Sequence, residues 1–178
     1  VAPICKDEPD YFTEYLGDIE AARRPTNSYF SYGSLTYAHA CWPNFDYYIL
    51  QEDDYCFVED NYSDKLISMM KPEDGILCGS IGMTTLSIQD DKVSLIPFPA
   101  NSISIIRREF LEGWAKLEKL PHEHGETTYE QAEHCQIWMG QVAHKLGFKV
   151  ADWLDHYSTP FWKSNHSIYE RAEEGLGA

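Results

Sequence analysis

The sequence lacks long apolar runs and any surplus of basic residues. No apolar stretch approaches the about 18 residues that a membrane-spanning helix needs, and no signal peptide is visible. The 14 basic residues stand against 29 acidic ones, which gives a net charge of −15. We therefore expect neither nucleic acid nor an anionic membrane as the main partner, because no basic surplus replaces the counterions of such a partner. A phosphorylated ligand is compatible with this charge when a metal ion bridges the two negative partners.

Paired cysteine motifs are also absent. The five cysteines are widely and irregularly spaced: Cys5, Cys41, Cys56, Cys78 and Cys135. Without a CxxC pair, neither a zinc knuckle nor a thioredoxin-type site is indicated. An odd number of thiols favours a reducing compartment, which predicts a cytoplasmic protein. The alternative is a secretory-pathway protein with one spare thiol, behind a removed leader or anchor.

The 178 residues, 43% of them hydrophobic, predict one globular domain over residues 1–178. Helix and strand signals alternate, which predicts an α/β sandwich. Helices are predicted over residues 8–24, 34–42, 61–70, 107–120 and 129–146, strands over 1–5, 45–50, 75–83, 101–106 and 148–154, and a hairpin over 84–98. In the fourth helix an apolar stripe predicts the buried face: Phe110, Leu111, Trp114 and Leu117. Gly147 is a predicted C-terminal helix cap.

The stretch "YYILQEDDYCF", residues 47–57, changes abruptly from an apolar strand to three adjacent carboxylates, those of Glu52, Asp53 and Asp54. The strand has the composition of a central strand that is covered on both faces. In open α/β sheets ligands bind beyond the carboxyl ends of the strands. Mg²⁺ and Mn²⁺ take such carboxylates and complete their shell with water and phosphate oxygens. The pattern predicts a divalent-cation site, and a solvated acidic turn is the alternative.

The segment "NFDYYILQEDDYCFVEDNYSDKLISMM" resembles the region around the DxD-type motif of GT-A nucleotide-sugar glycosyltransferases. Three further segments are similar to that family in the same order: "YGSLTYAHACWPNFDYY", "PANSISIIRREFLEGW" and "HCQIWMGQVAHKLGFKVADW". The resemblance covers roughly residues 32–155. It implies a GT-A-like sandwich with a central mixed, mostly parallel sheet flanked by helices. It also implies transfer of a hexosyl group from a UDP- or GDP-sugar to a hydroxyl of a glycan or glycoconjugate.

The resemblance implies roles for the acidic triplet. Glu52, Asp53 and Asp54 would bind the donor, and Asp54, Asp53 and His156 would hold Mn²⁺ or Mg²⁺. A metal ion at this position would stabilise the charge that develops on the leaving diphosphate. Arg107 and Arg108 could also meet a diphosphate, although arginines at the head of an amphipathic helix are more often solvated.

Two features depart from the family pattern. Inverting members place a carboxylate base where this sequence has Cys135 and Gln136, so Glu133 or Glu130 is the candidate base. The alternative for both is a solvated carboxylate that the helix dipole favours. Only 50 residues precede Gln51, where the family has two strand–helix units. Part of the N-terminal nucleotide-binding half is therefore expected to be abbreviated or missing.

Two other functions use the same residues. A metal-dependent phosphoesterase or similar hydrolase would employ the same carboxylates. A non-catalytic domain on this fold would bind a glycan or nucleotide without turning it over, which would suit the absence of a carboxylate at Gln136.

Overall fold

The computed structural model describes residues 2–4, 21–51, 60–89, 92–100 and 103–153 of the chain, which form eight strands and four helices. The strands are β1 (Ala2–Ile4), β2 (Ala21–Arg23), β3 (Tyr47–Leu50), β4 (Asp74–Cys78), β5 (Ile81–Gln89), β6 (Lys92–Pro99), β7 (Ser104–Arg107) and β8 (Lys149–Asp152). The helices are α1 (Phe30–Cys41), α2 (Tyr62–Met69), α3 (Arg108–Leu117) and α4 (Tyr129–Leu146), and a 3₁₀ turn spans Pro121–Glu123.

Four strands form the main sheet in the order β3-β7-β4-β8. β7 is antiparallel to both β3 and β4, whereas β4 and β8 are parallel. Consequently β3, β4 and β8 run in the same direction and β7 runs against them. The predicted α/β class with a mixed sheet is confirmed, whereas the predicted mostly parallel pairing is not found in the described sheet, because β7 runs against both of its neighbours and two of the three strand pairs are antiparallel.

β4 is the most deeply covered strand of this sheet, with all five of its residues buried. β3 instead alternates, since Tyr48 and Leu50 are buried while Tyr47 and Ile49 are half-buried. Among the described strands β3 pairs only with β7 and lies at one side of the sheet. The prediction of a central strand at residues 45–50 is therefore wrong for the described sheet, because two-sided burial belongs to β4.

Two smaller sheets accompany the main one. β5 and β6 form the predicted hairpin, and β6 packs against α4. β1 and β2 pair in parallel. The prediction that residues 21–23 end a helix is wrong, because their backbone pairs with β1 and this pairing overrides the helix propensity of two alanines. The rest of that predicted helix, residues 8–20, lies outside the described residues.

Helices α1, α3 and α4 contact one another beside the main sheet and enclose the core with it. Fully buried side chains come from the sheet and from these helices: Ile76, Leu77, Ile105, Ile106, Phe110, Leu111, Trp114, Met139 and Val142. Trp114 also packs edge-on against Trp138 of α4, with ring centroids 4.9 Å apart. The core thus fixes α3 against β7, which it follows, and α4 against β8, which it precedes.

The predicted stripe of α3 is confirmed except at its end. Phe110, Leu111 and Trp114 are fully buried, whereas Leu117 is 51% exposed. The backbone becomes extended at Glu118, so the last turn of α3 leaves the core. α4 has the predicted bounds, and Gly147 caps it in the left-handed conformation (φ 76°), as predicted.

Candidate functional site

One edge of the main sheet carries an aligned row of residues from all four strands. Leu50 is paired with Ser104, Ser104 with Cys78, and Cys78 with Asp152. β3, β4 and β8 end at this row and β7 begins there. Neighbouring strands are about 4.8 Å apart, so the row spans about 14 Å from Leu50 to Asp152. We call it the carboxyl edge, and it is the edge at which ligands bind in open α/β sheets.

The Cys78 thiol on this row is inert. It is fully buried and donates to the carbonyl oxygens of Ser80 (3.2 Å) and Ala151 (3.4 Å). Burial raises the pKa of the Cys78 thiol, and the Asp152 carboxylate raises it further. Because the thiolate is the nucleophilic form, Cys78 does not supply a nucleophile.

Asp152 places a half-buried carboxylate at the carboxyl edge. The sequence did not predict Asp152 as a site residue, because His156, just after the strand "KVADWL", was the predicted ligand there. The available signal was a carboxylate at the end of a strand whose preceding residues are apolar. Asp152 adds an oxygen donor of the kind that Mg²⁺ and Mn²⁺ accept.

The acidic triplet starts from the same edge. Gln51 follows Leu50 directly and is half-buried. Glu52, Asp53 and Asp54 lie outside the described residues, as does His156, which follows Trp153 by three positions. Two of the predicted ligand segments thus leave the sheet at its carboxyl edge, one after β3 and one after β8. Within the described ranges no group of three potential metal ligands is assembled.

α4 carries the two candidate bases toward this edge. The chain reverses at Gly147 and enters β8 two residues later, so α4 runs opposite to β8. The 18 residues of α4 rise about 27 Å, whereas the four residues of β8 span about 13 Å. The first turns of α4 therefore extend past the carboxyl edge. Glu130 and Glu133 lie in those turns and are exposed.

The start of α4 is fixed by a capping box. The Thr128 hydroxyl accepts from the backbone N–H of Gln131 (3.3 Å), and the Gln131 side chain accepts from the N–H of Thr128 (2.8 Å). These bonds satisfy two donors at the helix terminus and hold its first turn. The backbone that presents Glu130 and Glu133 is therefore well defined, although both carboxylates are open to solvent.

Cys135 and Gln136, the position at which the family resemblance places a carboxylate base, are inaccessible to a substrate. Cys135 is 1% exposed and Gln136 is 8% exposed, and both pack inward from α4. Burial raises the pKa of the Cys135 thiol. Neither residue offers a carboxylate to a substrate in the open site, so Glu130 and Glu133 remain the candidate carboxylate bases on α4.

A second helix start lies at the same edge. α1 leads by a short turn into β3 and packs against it, so it runs opposite to β3. The segment before α1 is bonded to the segment before α4. The backbone N–H of Tyr29 donates to the Thr127 hydroxyl (2.6 Å), and that of Asn27 donates to the Glu126 carboxylate (3.3 Å). The starts of α1 and α4 are thereby joined above the carboxyl edge.

The two arginines lie at the opposite edge. Arg107 is paired with Tyr47 at the start of β3, and its guanidinium donates to the carbonyl oxygens of Asp74 (3.0 Å) and Lys71 (2.9 Å). Arg108 forms an ion pair with Asp46 at 3.1 Å. These contacts account for both side chains, and neither reaches the carboxyl edge to meet a diphosphate.

A cavity of about 310 Å³ lies away from this site, toward the start of β8. Pro97, Gly140, His144, Phe148, Lys149 and Val150 line it. None of the four residues of the row lines this cavity, so we place the candidate site at the carboxyl edge.

Among the described residues, no helix is both long enough and apolar enough to cross a membrane. Comparisons with models of known protein families, with curated proteins and with solved structures gave no significant match to this chain.

Proposed function

We propose that the chain is a GT-A-like, metal-dependent glycosyltransferase domain. It transfers a hexosyl group from a UDP- or GDP-sugar to a hydroxyl of a glycan or glycoconjugate. One observation carries the proposal: β3 ends at the carboxyl edge two residues before the acidic triplet begins in the sequence, and the first turns of α4 carry exposed carboxylates past that same edge. The four segments that resemble the family include β3, β7 and β8 and parts of the helices beside them, and the last segment begins one residue after Glu133.

The residues divide the chemistry between donor and acceptor. Asp54 and Asp53, with His156, would hold Mn²⁺ or Mg²⁺ against the donor diphosphate, and Glu52 would contact the ribose or a bound water. The cation would stabilise the negative charge of the leaving diphosphate. Glu133 or Glu130 would accept the proton of the acceptor hydroxyl, for which the carboxylate must come within hydrogen-bond distance.

A second candidate function follows from the buried Gln136. Because no carboxylate occupies that position, a domain that binds a nucleotide sugar or glycan without transfer is also consistent with the site. Turnover separates the two: a transferase releases nucleoside diphosphate when an acceptor is added, and a binding domain does not.

The proposed compartment is the reducing cytoplasm, which the free, buried thiols of Cys78 and Cys135 support.

Thermal unfolding with UDP or GDP and Mn²⁺ tests the proposal. Ligand at about 100 times its dissociation constant adds about 2.7 kcal/mol to the free energy of unfolding, which corresponds to a melting-temperature rise of about 5–10 °C. We expect this rise only when nucleotide and Mn²⁺ are both present, and we expect Asp54→Asn to abolish it. Asp60→Asn is the matched control, because it removes an exposed carboxylate just beyond the triplet segment. If neither nucleotide raises the melting temperature at millimolar concentration, the transferase proposal is wrong.

A further inference from the structure

Two aromatic side chains form an exposed pair where the starts of α1 and α4 meet. Phe30 is the first residue of α1 and is 38% exposed, and Tyr129 is the first residue of α4 and is 65% exposed. Their ring centroids are 6.3 Å apart and the ring planes are inclined by 70°. We call this pair the aromatic corner. Both rings keep open surface, although the same backbone segments are tied together beneath them.

The backbone below the corner is held in a strained conformation. Tyr29 and Phe30 have φ angles of 50° and 45°, in the left-handed region that bulky residues rarely adopt. The N–H of Tyr29 is anchored by the Thr127 hydroxyl at 2.6 Å, and its ring packs against His124 and Trp138, with centroids 5.4 and 5.6 Å away. These contacts pack the Tyr29 ring against α4 and the segment before it, while the neighbouring Phe30 ring remains partly exposed to solvent. Residues in such conformations cluster at functional sites.

The surroundings of the corner select the class of ligand. The carboxylates of Glu126, Glu130 and Glu133 are exposed on the neighbouring segment. They would repel a phosphate or another anion and would accept hydrogen bonds from hydroxyl groups. A neutral pyranose ring offers an apolar C–H face to an aromatic ring and hydroxyl groups at its rim. The corner also lies at the start of α4, whose first two turns carry the candidate bases Glu130 and Glu133.

We propose that Phe30 and Tyr129 form a binding subsite for a neutral pyranose ring. The ring stacks on Tyr129, contacts the edge of Phe30, and donates hydroxyl hydrogen bonds to the carboxylates of α4. If the proposed transferase binds its acceptor here, the acceptor is a glycan with a neutral, unphosphorylated sugar. That identification of the sugar as acceptor rests on the proposed function, whereas the binding of the sugar does not.

The test is an NMR titration of the full chain with the methyl glycosides of glucose, galactose, mannose and N-acetylglucosamine, without nucleotide or metal. We expect at least one glycoside to bind at millimolar concentration, with saturation transfer from aromatic protons of the protein. Tyr129→Ala should weaken binding about three- to tenfold, which is the range expected for one aromatic contact. Phe45→Ala is the control, because it removes a ring that is 49% exposed at the opposite edge of the sheet.

Phe30→Gly separates binding from folding. Glycine adopts the left-handed conformation freely, so this variant should keep the fold, with a circular-dichroism spectrum like that of the wild type, and still bind the glycoside more weakly. A merely structural role for Phe30 predicts no loss of binding in a protein that keeps its fold. Binding by Phe30→Gly as tight as that of the wild type therefore contradicts the proposal.

Three further outcomes would overturn the subsite: no glycoside binds, Tyr129→Ala binds as well as Phe45→Ala, or UMP or GMP occupies the corner in place of the sugar. The result is separable from that of the thermal-shift experiment. Sugar binding that Tyr129→Ala weakens, with no shift by nucleotide and Mn²⁺, would keep the subsite and remove the transferase. A shift that Asp54→Asn abolishes, with no sugar binding, would do the reverse.

Discussion

At the scale of single residues, the Tyr48 hydroxyl joins three parts of the chain. It donates to the backbone carbonyl of Trp42 at 2.6 Å and lies 3.1 Å from Nδ1 of His39. Because the hydroxyl hydrogen is used toward Trp42, His39 donates from Nδ1 and is a neutral tautomer with its hydrogen there. The pair is buried between α1 and β3, so this chain of bonds fixes the helix that begins at the aromatic corner.

Tyr48→Phe should lower the free energy of unfolding by about 1–3 kcal/mol, because it removes the hydroxyl that bonds both the half-buried Trp42 carbonyl and the buried His39 ring. Tyr37→Phe is the matched control. Its hydroxyl makes an exposed bond to the Arg23 carbonyl at 3.3 Å, so the loss there should stay below about 0.5 kcal/mol. Urea unfolding of both variants measures the difference, and equal losses would contradict the buried bond chain.

Single residues also show how far sequence reasoning extends. Gly147 was predictable because a glycine after a long helical pattern has one common role, the left-handed cap. Phe30 and Tyr129 were not, since their proximity depends on how two helices meet. Asp152 was an intermediate case: its strand was predicted, but its place beside Cys78 depends on a register that the sequence does not reveal. Local conformation is encoded locally, and a site assembled from several strands is not.

At the scale of elements, α4 approaches β6 unusually closely. A Cβ atom added to Gly140 would lie 2.5 Å from the carbonyl oxygen of Pro97 and 2.6 Å from Cβ of Phe98. Backbone atoms such as the Pro97 oxygen cannot rotate away. The absence of a side chain at Gly140 therefore sets the separation of α4 from the hairpin, and with it the position of the carboxylates that α4 carries.

Gly140→Ala should lower the free energy of unfolding by about 1–2 kcal/mol, because the steric cost exceeds the about 1 kcal/mol that alanine gains in helix propensity. Gly113→Ala in α3 is the control. Its added Cβ would meet only the flexible end of the Leu146 side chain, at 2.8 Å from Cδ1, so it should be neutral or stabilising. Chemical unfolding followed by circular dichroism measures both, and a stabilised Gly140→Ala protein would contradict this packing.

Element boundaries were predicted well where periodicity is strong and poorly where it is not. α4 has the predicted bounds because its apolar spacing and capping box act together. The predicted strand at 75–83 is in fact two strands, which separate around Gly79 and Ser80, because the N–H of Gly79 donates to the Ile103 carbonyl while the chain turns into the hairpin. α1 begins four residues earlier than predicted. In the sequence, Gly33 suggests a turn. In the structure it lies within the helix, packed against the Ser28 carbonyl and the Arg24 side chain in a space that only glycine fits.

At the scale of the whole molecule, stability reflects the net charge of −15, the buried imidazole of His39 and the half-buried imidazole of His122. Burial lowers the pKa of His39, against an opposing effect of Glu112 and a lesser lowering by Arg108. Burial also lowers the pKa of His122. For His122 the Glu123 carboxylate opposes the shift, whereas positive charge on His39, Arg24 and His124 adds to it. Both histidines therefore resist protonation in the folded protein.

Below about pH 6.5, His39 and His122 bind protons in the unfolded chain but remain neutral in the folded protein. Their contribution to the free energy of unfolding is therefore lost as the pH falls. Fewer ionised carboxylates lessen self-repulsion in the same range, which makes the difference between variants the useful measurement. We expect His122→Gln to lose less stability than the wild type between about pH 7 and pH 5. Equal pH profiles for the wild type and His122→Gln in urea unfolding would contradict the assignment.

The alignment of the carboxyl edge has a consequence for how this protein can change. Leu50, Ser104, Cys78 and Asp152 end or begin their strands at one level. The link after Cys78 is tied to Ile103 and Ala100 by backbone hydrogen bonds, whereas the segments that follow Leu50 and Asp152 can change length without shifting a paired strand. Replacing residues 52–59 by a segment of different length would therefore be a direct route to a domain with a new ligand on the same sheet.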